Sequence, residues 1–278
     1  MKKSIIYWAL TRKNIEENMR LAKEAGFDAV ELTFGENDVL NPNTDKSFCE
    51  KILKFTKKIG IEISGLAPSF YWSYSLTSNK KEVRQKSINL TVQYVKLASY
   101  LRAEVVLIIP GLVGADFVPN CEIVDYDVAY EKAQDSLQKI IPEAEKNNII
   151  LCVENVWNKL LLSPLEMRNF IDSFKSEYVK AYFDVGNVLL TGYPEQWIKI
   201  LGKRIKRIHF KDFRRAIGNV NGFVDLLEGD VDWKKVMDAL RKIGYDSYCT
   251  AEVLPPYKSA AEALVYNTSK AMDYIFSL

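Results

Sequence analysis

Residues 149–187, IILCVENVWNKLLLSPLEMRNFIDSFKSEYVKAYFDVGN, decide the fold. A short apolar run at 149–154 finishes on Glu154, a helical stretch follows, and a second apolar run at 179–184 finishes on Asp184. Strand, helix and strand in that order form a βα step, and repeated steps of this kind build a parallel sheet. The same rhythm continues in both directions. Strands are expected at 4–8, 29–33, 62–67, 105–110, 149–154, 179–184, 205–211 and 247–252, with helices between them and after the last. Glycine stands where helices should stop: Gly26 follows the stretch at 14–25, Lys57 and Lys58 precede Gly60, and Arg241 and Lys242 precede Gly244. Eight strands, each followed by a helix, close a barrel and leave no exposed edge. A doubly wound open sheet would want a glycine-rich phosphate turn after the first strand, and the residues there are Trp8-Ala9-Leu10-Thr11. The expected fold is therefore α/β, a single (β/α)8 TIM barrel with one domain spanning 1–278. The long connections, at 67–80, 111–125 and 212–231, all follow strands, which is the side on which barrels carry their chemistry.

Composition removes several classes of function. Lys plus Arg is 38 against 36 Asp plus Glu, and a net charge of +2 supplies no broad field for a polyanion, so nucleic acid is not an expected partner. The N-terminal apolar stretch is too short for a signal sequence, and no run approaches the ~18 apolar residues of a membrane span. Cys49, Cys121, Cys152 and Cys249 are scattered without CxxC spacing. Reduced thiols in a cytoplasmic protein are the expectation.

His209 is the one histidine of the chain, and it falls at the end of the seventh expected strand, in IKRIHFKD. Glu154 ends the fifth, Asp184 the sixth and Glu252 the eighth. Singly, each has an ordinary reading: a core histidine, glutamates reaching solvent, an aspartate capping the turn at Gly186 and Asn187. As four neighbouring strand ends in register they form a compact oxygen and nitrogen site for one divalent cation, with manganese, magnesium, cobalt and zinc all suited to it.

The segments VENVWN, YFDVGN, IHFKD, LLEGDVDW and TAEV, with FDAVELT early in the chain, resemble the xylose-isomerase-like barrel family of sugar and sugar-phosphate isomerases and epimerases. Within it the chain looks most like the L-xylulose-5-phosphate 3-epimerase branch, because Asp184 is followed by Val-Gly-Asn and Glu228 to Trp233 match its EGxxDW/F stretch. The resemblance implies that Glu154, Asp184, His209 and Glu252 bind the metal and that Glu154 and Glu252 double as the proton-transfer pair. Free-ketose relatives carry a histidine where this chain has Asn187 and a glutamate where it has Leu160, and both departures point away from a free sugar. Arg215 stands six residues after His209, where relatives place a substrate-contacting arginine, with Lys211 as its competitor.

The implied reaction inverts C3 of a ketose through a metal-stabilised enediolate, one carboxylate removing the proton and the other returning it from the opposite face. An aldose-ketose isomerase working between C1 and C2, or a sugar-binding barrel without catalysis, would use the same scaffold. Trp72, in the aromatic stretch 68–74, is expected over the barrel mouth against the sugar, with Asn187 beside it. A phosphate, if the substrate has one, would be met by backbone N–H groups or by Lys211, Arg214 and Arg215, a cluster that also reads as a solvated basic turn. A homodimer is favoured by the abundance of Tyr and Trp and by family habit.

Overall fold

The computed structural model describes residues 1–254 and 257–278. Eight parallel strands close a barrel: β1 (Lys2–Ile6), β2 (Ala29–Phe34), β3 (Glu62–Pro68), β4 (Val105–Ile108), β5 (Ile150–Glu154), β6 (Val179–Asp184), β7 (Ile205–Phe210) and β10 (Tyr248–Ala251). Around them run α1 (Ile15–Glu24), α2 (Lys46–Ile59), α3 (Lys81–Tyr100), α4 (Tyr126–Asn147), α5 (Pro164–Ser173), α6 (Pro194–Leu201), α7 (Trp233–Lys242) and α8 (Glu262–Ser277). Local chemistry starts and stops these helices. Asn14, Asp45, Ser163 and Asp232 accept hydrogen bonds from backbone N–H groups of their first turns, and Gly60 ends α2 in the left-handed region at φ 68°. Among the described residues no helix is long and apolar enough to cross a membrane.

Several boundaries differ from the sequence expectation, and three of the differences bear on the site. Strand β1 stops at Ile6 and the chain turns through a 3-10 segment at Tyr7–Ala9, which lifts Trp8 out of the sheet onto the barrel rim. Strand β10 stops at Ala251, so Glu252 lies one residue beyond it. The connection at 212–231 is not bare loop: β8 (Asp212–Phe213) and β9 (Phe223–Val224) pair antiparallel within it.

Register sets the level of the site. Asp184 pairs with His209, Thr250 with His209 and Glu154 with Tyr182, so the C-terminal ends of β5, β6, β7 and β10 lie at one height. On β7 the alternate residues Arg207 and His209, followed by Lys211, share the inward side and are all buried. Arg207 plugs the opposite end of the barrel, bonded to Glu104, to Ser247 and to the Ser64 carbonyl. His209 and Lys211 stand above it, toward the functional face.

Candidate metal centre

Glu154, Asp184, His209 and Glu252 each offer one ligand atom, and those atoms all lie within 4.8 Å of one another. His209 Nδ1 is 3.1 Å from Glu154 Oε1, 3.1 Å from Glu252 Oε2 and 3.9 Å from Asp184 Oδ2. The four side chains are buried or nearly so. A donor set of three carboxylates and one imidazole suits a divalent ion. Two of its oxygens, Asp184 Oδ2 and Glu252 Oε2, are buried without a hydrogen-bond partner, a costly arrangement unless another group completes it. Lys211 Nζ lies 3.2 and 2.6 Å from these same oxygens, at ion-pair distance but not in hydrogen-bonding geometry. The residues present therefore fit a metal.

Local interlocks fix the ligands. Asn155 accepts from the Asp184 backbone N–H and donates to its carbonyl, both at 2.8 Å. Asp184 Oδ1 accepts from the Asn187 N–H at 2.7 Å, and the Asn187 amide donates to the Asn155 carbonyl at 3.0 Å. Gly186 sits in this turn because a Cβ there would come within 2.8 Å of the Lys211 carbonyl oxygen. Behind the histidine, Nε2 is 2.7 Å from Glu31 Oε2, and the Tyr182 hydroxyl donates to Glu31 Oε1 at 2.6 Å. Glu31 and Tyr182 are fully buried.

The electrostatics follow from burying acids around two cations. Burial pushes Asp184 up to about 7, helped by Glu252 and Glu154 and opposed by Lys211. Burial also raises Glu154, against the pull of His209. On Glu252 the same desolvation is overcome by Lys211 and then His209, which hold its carboxyl well below the usual range. His209 and Lys211 are both raised despite burial, His209 chiefly by Glu31 and Glu252, Lys211 chiefly by Asp184 and Glu252.

Above the four ligands opens a cavity of about 560 Å³, walled by Trp8, Trp72, Phe117, Trp157 and Phe223 and reached by Glu154, Asn187, His209, Lys211 and Glu252. Trp72 meets Phe117 edge-on with ring centroids 4.9 Å apart. The indole N–H of Trp8 is buried without a hydrogen-bond partner. The expected basic cluster does not assemble around this cavity. Lys211 turns into the metal centre, Arg214 bonds to Glu228, and Arg215 donates to the Leu189 carbonyl and lies over the Tyr193 ring. Asp212 accepts from the Trp233 indole and from the Phe213, Leu227 and Val231 N–H groups, which ties the EGDVDW stretch to the end of β7. Sequence reading passed over Glu31, Asn155 and Trp8. For Glu31 a signal existed: a glutamate inside AVELTF, a strand of otherwise uncharged residues, calls for a buried partner.

The family model described as xylose isomerase-like TIM barrel matches residues 19–269. The chain belongs to that family. Among its relatives, the L-ribulose-5-phosphate 3-epimerase UlaE of Salmonella paratyphi A is 22% identical over 270 residues, covering 93% of this chain and 88% of that protein. L-ribulose 5-phosphate is the C3 epimer of L-xylulose 5-phosphate, so this relative accords with the branch that the motifs indicated. Among solved structures, an L-ribulose 3-epimerase aligns with a TM-score of 0.81 at 16% identity, over 99% of this chain and 94% of that one. A D-psicose 3-epimerase from Clostridium cellulolyticum H10, solved with D-tagatose, gives 0.79 at 17%, over 99% of each chain. The IOLI protein with a bound zinc atom gives 0.81 at 16%, over 100% of this chain and 98% of that one. These structural likenesses show the (β/α)8-barrel fold.

Proposed function

We propose that this protein is a metal-dependent isomerase that inverts the carbon beside the carbonyl of a ketose or ketose phosphate, C3 of a 2-ketose. The observation that carries the reading is the placement of two carboxylates, Glu154 and Glu252, each 3.1 Å from the same His209 nitrogen and both opening into one cavity from different strands. The 3-epimerase relatives point to the same reaction class. A divalent ion held by Glu154, Asp184, His209 and Glu252 would neutralise the negative charge that develops on the substrate oxygen as the proton leaves. Glu252, paired with Lys211 at 2.6 Å, is suited to remove that proton and Glu154 to deliver one to the other face; the reverse reaction exchanges the roles. The Trp8 indole donates to a sugar oxygen while the Trp72 and Trp157 faces cover C–H surface and exclude water. Manganese is the first ion to test, and the four free cysteines fit the reducing cytoplasm.

The test is solvent deuterium exchange over a panel of pentuloses and hexuloses, with and without phosphate, in the presence of Mn2+ or a chelator. Label at C3 is expected, together with a loss of about 10²-fold or more in Glu154→Gln and in Glu252→Gln. Label confined to C1 or C2 would make the protein an aldose-ketose isomerase, and no label with any sugar would leave a binding barrel. Exchange that survives exhaustive chelation would remove the metal from the proposal.

A further inference from the structure

We propose that the substrate carries an apolar group in place of a phosphate, and that a second cavity joined to the first receives it; the inference rests on the epimerase reading above. This annex, about 410 Å³, lies over the ends of β5 and β6. It shares Phe117, Val156, Trp157 and Val220 with the reaction cavity, so a molecule reacting beside Glu154 can extend into it while staying in contact with protein. Past the shared wall the apolar part of the lining is Leu160, Leu161, Leu162, Val188, Leu190 and Trp197, and the polar part carries Asp116, Asn155, Lys159, Thr191 and Asn219. Leu162 and Leu190 are 58% and 44% exposed, and Phe117 and Val220 are 39% and 41% exposed. Large apolar side chains gathered at the rim of a concave site mark a place where apolar surface is meant to be covered.

Charge argues the same way. Among the described residues the cations lining either cavity are Lys159 and Lys211. Lys159 pairs with Asp116 at 2.6 Å, and Lys211 lies between Glu252 and Asp184. A phosphate monoester brings about two negative charges at neutral pH and would meet only Lys211, held by two buried acids, and Lys159 in a solvent-exposed pair at the edge of the lining. An alkyl or aryl group on the end of the sugar distant from the reacting carbons would instead displace water from leucine, valine and tryptophan surface. The structure thus assigns the annex as a subsite for an apolar ether or ester substituent of a ketose.

The experiment titrates the Mn2+-loaded full-length protein with D-fructose, D-fructose 6-phosphate and 6-O-benzyl-D-fructose, and with the corresponding 5-substituted set from L-ribulose. Saturation-transfer NMR follows the benzyl protons, and deuterium exchange is recorded for every sugar. In at least one set the benzyl ether is expected to bind about tenfold or more tighter than both the parent sugar and the phosphate. Leu162→Glu and Leu190→Glu, both at the solvent-facing rim, should each cut that ratio below about threefold. A tightest-binding phosphate, or a benzyl advantage absent from both sets or unchanged in both variants, overturns the subsite. So does a wild-type dimer that either variant dissociates with the same change in ratio, because a second copy would then cover the rim. If unsubstituted ketoses exchange deuterium without any benzyl advantage, only the subsite fails. If no sugar binds or exchanges, the epimerase reading fails and takes the subsite with it.

Discussion

Replacing Glu31 with glutamine tests whether His209 is held for a metal from behind. An imidazole that gives its Nδ1 lone pair to a cation must keep its proton on Nε2, and Glu31, 2.7 Å from Nε2, is the acceptor that fixes this tautomer. Glutamine preserves the volume but offers one acceptor oxygen to two donors, the Tyr182 hydroxyl and the His209 ring N–H. It also removes the charge that makes the imidazole a better ligand. Losing such a partner weakens metal binding by roughly 10–100-fold, about 1.4–2.8 kcal/mol. A buried hydrogen bond to a charged group, at about 1.5–3 kcal/mol, has the same size. Competitive titration of Mn2+ and Zn2+ against a chelator measures the change, with thermal unfolding in chelator as the check on folding. Glu31→Gln is expected to raise the metal Kd by that factor. Tyr182→Phe, which leaves the Glu31 charge in place, should lose less. A Glu31→Gln protein whose metal Kd stays within about threefold of the parent refutes the reasoning, as does a Tyr182→Phe protein that loses as much.

Two further outcomes follow from the same geometry. Asp184 is raised from its ordinary 3.8 to about 7, so between those values the native chain holds a proton that the unfolded chain has released. The stability this contributes is fully present below about pH 4 and is lost as pH rises through about 7; the raised His209 acts in the same sense above its ordinary value. In chelator the melting temperature should fall by several degrees between about pH 5.5 and pH 7.5, less steeply in Asp184→Asn, and a rise in both proteins would contradict the assignment. Gly186→Ala and Gly229→Ala should each cost about 1–3 kcal/mol, since their new Cβ atoms would come within 2.8 Å of the Lys211 carbonyl oxygen and 2.6 Å of the Phe213 nitrogen. Metal titration separates the two, with only Gly186→Ala expected to lose affinity because its strain falls on the turn that carries Asp184.

The sequence showed the barrel through its period and the cluster that could hold a metal through the position of its members. Glu154, Asp184, His209 and Glu252 could be found because each closes an apolar run, and a strand end is visible without knowing the partner strands. Glu31 was harder, since it sits in mid-strand and its function depends on the barrel closing so that β2 faces β7 across the interior. Lys211 was read as reaching for substrate; on the inward side with Arg207 and His209 it lines the cavity and also pairs with the acids, which its spacing alone did not show. Arg215 could not be placed from its spacing, because the β8–β9 hairpin turns the chain back at that point and the guanidinium joins the Leu189 carbonyl. The departures at Leu160 and Asn187 acquire different meanings in space: Leu160 lines the annex, while Asn187 ties Asp184 to Asn155.

The pH behaviour and the capacity to hold a metal have one origin. Glu31, Glu154, Asp184 and Glu252 supply four negative charges; Lys211 and a protonated His209 supply two positive ones, leaving the buried cluster at −2 (−4 + 2). A net charge of that size is costly away from water, and the cluster can relieve it in two ways. It can take up protons, which is why burial raises Asp184 and Glu154, or it can take up a divalent cation, in which case His209 gives up its proton and becomes a ligand. Protons and metal therefore compete for the same oxygens, and the ion has the advantage toward neutral pH, where Asp184 begins to lose its proton. Lys211 is the fixed member of this balance, pairing with Glu252 at 2.6 Å and favouring its ionised form.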